Sequence, residues 1–352
     1  MKVVNYILIY ILFLMLIASC IDPVTLKNEP AIGILVIEGG ITTGLGPHIV
    51  RLTTSARYGD IFAGEVKGVK GAEVFIRDEI GNLIKLRESE NGFYVTPNTF
   101  QGEVGKSYIL LIETNDGEKY SSYSEKLLPV SPIDSIFYEF REIPYIGKEG
   151  LLKTKSGIDI KIKFKDPEGA DNYYKWETNG FYKRETAPEL FTITDSRTGN
   201  KIPAPKDCCA TCWITEDNNR IDVSTDFLHD GNDVVHTSIY LEDDGVRFLG
   251  KYLITVNQFS ISKEGYQFYD LIEKQLQISG DIFDPPPAEI SGNMINLTNT
   301  STPVIGYFRV SDVSSDSLYI YGEDFPFQKI EPIFKDDCRV LLKSTVVKPP
   351  FW

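Results

Sequence analysis

Strict alternation of apolar and polar side chains is the feature that most limits what this chain can fold into. Residues 158–164 read I-D-I-K-I-K-F, with every second position apolar. A β-strand points successive side chains to opposite faces, whereas a helix repeats every 3.6 residues. The turn Asp166–Gly169 follows, and then the aromatic run Tyr173–Trp176 begins. We therefore predict two strands here that pair with each other and share one buried face.

The first part of the chain shows the same pattern in shorter pieces. Apolar runs separated by turn residues begin at Ile34, His48, Ala72, Gly92 and Tyr108. The sequence N-D-G at positions 115–117 is a strong hairpin signal. About seven short strands without helical periodicity are typical of a small sandwich. We therefore predict a β-sandwich over residues 32–128.

A second strand-rich region follows the stiff segment Leu128–Pro132. A chain of 352 residues exceeds what one ordinary hydrophobic core holds, which favours two domains. We predict that residues 133–352 form a second sandwich and that both sandwiches are immunoglobulin- or fibronectin-like. Within the second one, the polar and irregular residues 184–233 predict an insertion that folds over the sandwich and is held by disulfides.

One segment has helical periodicity. Tyr269, Ile272 and Leu276 recur at helical spacing, and Ser262 is a good N-cap. A Ser-Gly pair then ends the pattern. We predict one helix over residues 262–279, so that the fold class is mainly β with a single helix.

The first twenty residues indicate export. One lysine precedes an almost unbroken apolar run over residues 3–17, which is short for a membrane span and has the layout of a secretory signal. The run ends in I-A-S-C, which resembles the bacterial lipobox. We predict a lipoprotein signal peptide over residues 1–19, a lipid on Cys20, and a proline-containing tether over residues 20–31. An ordinary signal peptide with an incidental cysteine is the alternative.

Four cysteines remain once Cys20 carries the lipid, namely Cys208, Cys209, Cys212 and Cys338. Outside the cytoplasm such thiols oxidise. We therefore predict disulfides, with one bridge from Cys338 to the cluster at 208–212. Cys208 and Cys209 are expected not to pair with each other, because the ring would be strained. A metal knuckle and free thiols are the alternatives, although the histidines show no ligand spacing, and we expect neither a metal nor a cofactor.

The charge balance limits the classes of partner. The formal net charge is −14, and loss of residues 1–19 removes one lysine and makes it −15. Nucleic acids and anionic lipid surfaces attract basic proteins. The acidic composition therefore argues against nucleic acid as a partner and against electrostatic adhesion to anionic lipid.

Common catalytic motifs are absent from the sequence: it contains no G-x-S-x-G elbow, no H-E-x-x-H and no P-loop. His229 and His236 lie in a polar stretch, which predicts surface loops. The aromatic cluster over residues 173–182 is a candidate platform for a glycan or peptide, although alternation places about half of it in the core. We expect a protein that is not an enzyme.

Several separate motifs together resemble one family. They are I-F-D-P-P-P-A-E-I-S-G-N at 282–293, P-V-I-G-Y-F at 303–308, D-C-R at 337–339 and K-P-P-F-W at 348–352. Upstream segments at 71–74, 132–136 and 212–213 extend the likeness. The sequence resembles the Bacteroidota lipoprotein family catalogued as domain of unknown function 4249. One departure is Lys335-Asp336, where members often carry another cysteine.

The resemblance implies an outer-membrane lipoprotein of the kind often encoded beside TonB-dependent transporters of the SusC type. We therefore expect a lipid-anchored, non-catalytic accessory or binding subunit that faces outward and contacts an outer-membrane β-barrel. Exposed edge strands and the insertion at 184–233 would make the contact. An independent surface adhesin or glycan-binding lipoprotein is the alternative, and a hydrolase with an unfamiliar site is a more remote one.

Overall fold

The computed structural model describes residues 33–55, 67–218, 220–278, 290, 292–326 and 329–352. Within these residues the protein is mainly β, with one α-helix. The expected signal peptide, the lipid site at Cys20, the tether and most of the F-D-P-P-P motif lie outside the described residues. The described residues contain no helix that is long and apolar enough to span a membrane.

The strands are numbered in chain order. The first ten are β1 (Leu35–Thr42), β2 (Ile49–Thr54), β3 (Lys67–Gly68), β4 (Glu73–Asp78), β5 (Leu83–Lys85), β6 (Arg87–Glu90), β7 (Phe93–Val95), β8 (Ser107–Glu113), β9 (Lys119–Ser122) and β10 (Glu125–Lys126). The next nine are β11 (Ile133–Ile146), β12 (Leu152–Lys165), β13 (Tyr173–Glu185), β14 (Thr192–Thr194), β15 (Lys201–Pro203), β16 (Thr211–Asp217), β17 (Asp222–Thr225), β18 (Asp233–Glu242) and β19 (Lys251–Ser260). Helix α1 (Lys263–Leu276) follows, and then β20 (Met294–Asn296), β21 (Ile305–Ser311), β22 (Val313–Tyr321) and β23 (Ser344–Thr345). Short 3-10 helices cover Pro188–Leu190, Gly322–Asp324 and Cys338–Val340.

The first two sheets enclose one hydrophobic core. One has the strand order β21-β1-β2-β7-β6, with β3 on β2, and the other has the order β20-β9-β8-β4-β5, with β10 on β8. Ile37, Leu52 and Phe308 of the first sheet are buried in the same cluster as Ile76 and Leu110 of the second. Alternation places these apolar residues on the inner face of each strand.

The third and fourth sheets enclose a second core. Their strand orders are β11-β12-β18 and β22-β19-β13-β16-β23, with β17 on β13. Ile160 and Phe164 of β12 are buried in one cluster with Trp176 and Ile254 of the facing sheet. The predicted alternation over 158–164 is confirmed, since its four apolar residues are all at most 1% exposed.

The predicted pairing of the 158–164 strand with the Tyr173–Trp176 strand is wrong. β12 lies in the three-stranded sheet and β13 in the sheet that faces it. The turn Asp166–Gly169 therefore carries the chain from one sheet to the other. The hydroxyl of Tyr174 donates a 2.5 Å hydrogen bond to Asp166, which is buried at this crossing. Both strands bury one apolar face, so the two faces can pack together across the core instead of pairing edge to edge.

The domain boundary also differs from the expected one. β20 and β21 fall within residues 133–352, yet β20 pairs with β9 and β21 pairs in parallel with β1. Close backbone approach makes this possible, because a Cβ on Gly306 would lie 1.8 Å from the carbonyl oxygen of Ile37. β21 also supplies Phe308 and Val310 to the first core. The chain therefore leaves the first pair of sheets, builds the second, and returns.

The expected insertion at 184–233 is shorter than predicted. β16 and β17 both pair with β13 and are therefore strands of the fourth sheet. The part outside that sheet runs from about residue 186 to 210 and contains the β14–β15 hairpin. An irregular polar composition hid these strands, because β16 and β17 carry many half-exposed polar residues.

The predicted helix is confirmed in kind and position. Helix α1 begins after Ser262, whose Oγ accepts a 3.1 Å hydrogen bond from the backbone N–H of Gly265. This satisfies one of the free N–H groups of the first turn. The helix ends at Leu276 and is capped by Gln277, so it is shorter than the predicted 262–279.

Candidate functional site

A disulfide joins Cys338, near the C-terminus, to the fourth sheet. Cys212 of β16 and Cys338 of the last 3-10 helix have their Sγ atoms 2.00 Å apart and are separated by 126 residues. Both side chains are fully buried. This is the predicted bridge from Cys338 to the 208–212 cluster, and it fixes the C-terminal segment against the second core.

The expectation for Cys208 and Cys209 is wrong. Their Sγ atoms lie at disulfide distance, 1.77 Å apart, with a cis peptide bond between the two residues and their Cα atoms 3.1 Å apart. The short Cα distance places both thiols within reach of each other. All four cysteines of the described chain are therefore paired. At Lys335-Asp336, where members of the family that the sequence resembles often carry another cysteine, Asp336 accepts a 2.5 Å hydrogen bond from Lys206.

A concave cleft of about 680 Å³ lies between strand β10, the start of helix α1 and strand β21. It lies where the first pair of sheets meets the helix that follows β19. Its lining combines carboxyl, amide and hydroxyl groups with aromatic and aliphatic side chains. A cleft with a few convergent polar groups on an otherwise apolar wall is the usual form of a ligand site.

Glu125 is the buried acid of this cleft and is only 6% exposed. Its Oε1 accepts a 2.7 Å hydrogen bond from the hydroxyl of Tyr307 and a 3.2 Å hydrogen bond from the amide of Asn293. Burial raises the pKa of Glu125, and the hydrogen bonds from Tyr307 and Asn293 act in the opposite direction. Glu125 therefore keeps its proton to a higher pH than an exposed glutamate does.

The partners of Glu125 are themselves fixed by backbone contacts. The side chain of Asn293 accepts a 2.8 Å hydrogen bond from the N–H of Phe308 and donates a 2.9 Å hydrogen bond to its carbonyl oxygen. The Tyr307 hydroxyl lies 2.8 Å from Oγ of Ser262, the N-cap of α1. Four segments that are distant in sequence thus converge on one carboxyl group, and the polar groups are held in place before any ligand binds.

Aromatic rings form one wall of the site. The ring of Tyr307 packs against Phe268 and Tyr269 of α1, with centroid separations of 5.1 and 5.9 Å. Burial raises the pKa of Tyr307 and raises that of Tyr269 to about 12. The phenol of Tyr307 is therefore a neutral hydrogen-bond donor at physiological pH. No histidine or cysteine is among the described residues that line the cleft.

A charged cluster lies behind the same helix. Glu177 of β13 contacts Lys175 and lies 3.4 Å from the guanidinium of Arg309 on β21. Burial works against the charge of Glu177, but Arg309 and Lys175 outweigh it and lower the pKa of Glu177. The Arg309 guanidinium also lies 3.9 Å from the ring centroid of Phe259. These contacts join the two cores on the far side of α1.

The aromatic cluster over residues 173–182 does not form an exposed platform. Tyr174, Trp176 and Tyr182 are 4, 2 and 8% exposed and belong to the second core. The ring of Phe181 packs against Phe351 and Trp352 at the C-terminus. The predicted surface for a glycan therefore has little support at this place.

His236 differs from its predicted surface loop, whereas His229 is exposed as expected. His236 lies on β18, its Nε2 is 2.8 Å from Asp222 of the facing sheet, and its ring stacks on Trp176 with a centroid separation of 3.8 Å. These contacts join two sheets and supply no nucleophile. Among the described residues, no group of three metal-binding side chains is close enough to hold an ion.

Sequence reasoning identified Ser262 as a helix cap but missed Glu125, Asn293 and Tyr307 as members of one site. Asn293 ends the motif at 282–293 and Tyr307 lies in the motif at 303–308. Those two motifs were a usable signal, because they are among the segments that carry the family resemblance. Nothing in the local sequence marks Glu125.

Comparison with protein-family models identifies a match. A protein-family model described as "Domain of unknown function (DUF4249)" matches residues 21–317. The matched range includes every cleft residue named above and all strands from β1 to β21, but it ends within β22 and before β23 and Cys338. No curated protein matches this chain.

Proposed function

This chain belongs to the family of the domain of unknown function DUF4249, and from that premise we propose that it is a lipid-anchored, non-catalytic binding subunit of the outer membrane. The lipid is on Cys20, the folded part faces outward, and the partner is a β-barrel of the TonB-dependent, SusC type or an outer-membrane assembly complex. The cleft beside Glu125 takes a peptide or glycan ligand.

The observation that carries this proposal is the construction of the cleft. Its polar groups are fixed to one another, as Tyr307 and Asn293 are to Glu125. Ser262 is used as the helix cap, and its hydroxyl accepts a backbone N–H. Nucleophilic catalysis needs an activated nucleophile beside a base, whereas a set of fixed donors and acceptors suits reversible binding.

The finer fold assignment supports the same proposal. We infer that each pair of facing sheets is an immunoglobulin- or fibronectin-like sandwich, because nearly all strand pairs are antiparallel and each pair of sheets shares one core. The segment at 186–210 is a contact surface in this scheme. Leu190, Ile193 and Ile202 in it are each at least 42% exposed.

The test uses the full-length chain with a C-terminal tag, expressed in its own cells. Outer membranes are solubilised in detergent, and proteins that co-purify in stoichiometric amount are identified by mass spectrometry. A β-barrel partner is expected, together with a lipid mass on the mature N-terminus. Cys20→Ala is the control and is expected to leave the membrane fraction. Unlipidated chain without a barrel partner would contradict the proposal.

An independent glycan-binding lipoprotein is the second candidate. Tyr123 lines the cleft and is 58% exposed, so an aromatic face is open to a sugar ring there. Glycan binding by the purified chain, lost in Tyr123→Ala and without a co-purified barrel, would favour this alternative.

A further inference from the structure

The long hairpin of β11 and β12 projects beyond its sheet. The two strands pair over their whole length, up to Ile146 opposite Leu152. The third strand, β18, pairs with β12 only from Gly157 to Lys165. Residues 143–155 therefore continue as a two-stranded ribbon without a neighbour in the sheet, and they are called the hairpin tip below.

The hairpin tip is apolar and exposed. Ile146, Leu151 and Leu152 are 75, 64 and 77% exposed. Ile330 is 76% exposed and lies at the same end of the sheet. The backbone N–H of the neighbouring Lys329 donates to the carboxylate of Asp243, and the backbone N–H of Asp243 donates to the carbonyl oxygen of Ser156. Single exposed apolar residues are ordinary, but a grouped set marks an interaction site.

The charge of the hairpin tip is opposite to that of the chain. It carries Lys148, Lys153 and Lys155 against Glu149, a net charge of +2 in a protein of formal charge −14. Lys153 and Lys155 contact Glu149 and Glu242, with N–O distances of 2.7 and 2.9 Å. Exposed ion pairs of this kind contribute about 0–1 kcal/mol, so an acidic partner can replace them at little cost.

The tip and the start of the described chain both lie at strand ends away from the junction of the two pairs of sheets. β1 runs parallel to β21, and β21 continues into β22 after Ser311. β11 begins beside β22, where the N–H of Ile133 donates to Ser314. The tip therefore lies at the end of β11 away from the junction, whereas Leu35 lies at the end of β1 away from it.

One edge of the tip disfavours strand addition. Pro144 lies in β11, which is the edge strand of its sheet, and a proline lacks the N–H that an added strand would need. On the β11 side, contact at this end therefore depends on side chains.

From these observations we infer that the hairpin tip docks into an apolar groove with an acidic rim on the protein partner of the proposed function, on which this inference rests. Ile146, Leu151 and Leu152 fill the groove, and Lys148 and Lys153 face the rim.

The test places a photo-reactive amino acid at Leu152 in the full-length chain and illuminates intact cells. The control carries it at Leu342, which is 90% exposed at another surface. Adducts of position 152 with the co-purifying barrel, at acidic or apolar residues of that protein and absent for position 342, are expected. Adducts with lipid would show that the tip contacts the membrane, and adducts with a second copy would show self-association; either result overturns the inference.

A second measurement uses a triple variant, Ile146→Ser with Leu151→Ser and Leu152→Ser. Co-purification of the partner is expected to fall about tenfold or more, which corresponds to about 1.4 kcal/mol, while thermal unfolding stays unchanged because the three residues are exposed. Leu342→Ser with Val347→Ser is the matched control. If the barrel still co-purifies fully with the triple variant, the tip is not the contact although the proposed function stands. If no barrel co-purifies with the wild-type chain, the proposed function itself fails.

Discussion

The hydroxyl of Tyr307 donates a 2.7 Å hydrogen bond to Oε1 of Glu125, although the two residues are 182 positions apart in the chain. Tyr307 belongs to the strand that returns from the second pair of sheets to the first, and Glu125 belongs to the last short strand before the chain leaves the first. The cleft therefore exists only when the return crossing has formed, so the binding of a ligand there, as proposed, would be coupled to the folding of the junction.

The first prediction concerns the pH dependence of stability at Glu125. Burial raises the pKa of this carboxyl above its ordinary value of 4.5. The folded state then binds the proton more tightly than the unfolded chain does, so this stabilising contribution is complete below about pH 4.5 and is lost as the pH rises through the raised pKa. Glu125→Gln removes the titration but keeps an acceptor for Tyr307. Relative to wild type, the variant should gain stability between pH 4 and pH 7.

Urea unfolding of both proteins at several pH values measures this difference. Glu168→Gln removes an exposed carboxylate that does not line the cleft and is the matched control. A difference between Glu125→Gln and wild type that stays constant over this pH range would show that Glu125 does not titrate differently in the folded protein.

The second prediction concerns the parallel pairing of β1 with β21. Gly306 has φ +134°, and a Cβ there would lie 1.8 Å from the carbonyl oxygen of Ile37. Gly306→Ala must therefore displace β21, and we expect a loss of about 3 kcal/mol or more in the free energy of unfolding. Gly250→Ala, where no atom lies within 4 Å of the new Cβ, is the control. An unchanged denaturation midpoint for Gly306→Ala would mean that β21 is not part of the first core.

How far the sequence alone predicts this molecule depends on the range of each interaction. The strand at 158–164 and the cap at Ser262 follow from local spacing, and both are found where expected. The turn at Asp166–Gly169 is compatible with a hairpin and with a crossing between sheets, and only packing across the core decides between them. The return of β20 and β21 depends on contacts with strands more than 170 residues earlier in the chain, which no local pattern encodes.

The third prediction concerns the bridge between Cys212 and Cys338. It closes a loop with a sequence separation of 126, for which the chain-entropy model gives a stabilisation of about 5 kcal/mol. Cys212→Ala with Cys338→Ala should lower the free energy of unfolding by an amount of that order, measured by denaturant unfolding without reductant. Cys208→Ala with Cys209→Ala opens a ring between adjacent residues and should have a much smaller effect. Equal losses in the two double variants would rule out loop closure as the source of the stabilisation.

The fourth prediction concerns His236, which joins the two sheets of the second core. Its Nε2 lies 2.8 Å from Asp222, which is 8% exposed, and its ring stacks on Trp176. His236→Phe keeps an aromatic ring for the stack but leaves the buried Asp222 without this partner. Such a loss costs about 1–3 kcal/mol, and we expect a decrease of that size in the free energy of unfolding.

His229→Phe is the matched control for this substitution, because His229 is exposed in the loop before β18. Changes at such surface positions are usually within about 0.5 kcal/mol. If His236→Phe were as stable as His229→Phe, the contact with Asp222 would contribute nothing to holding the sheets together.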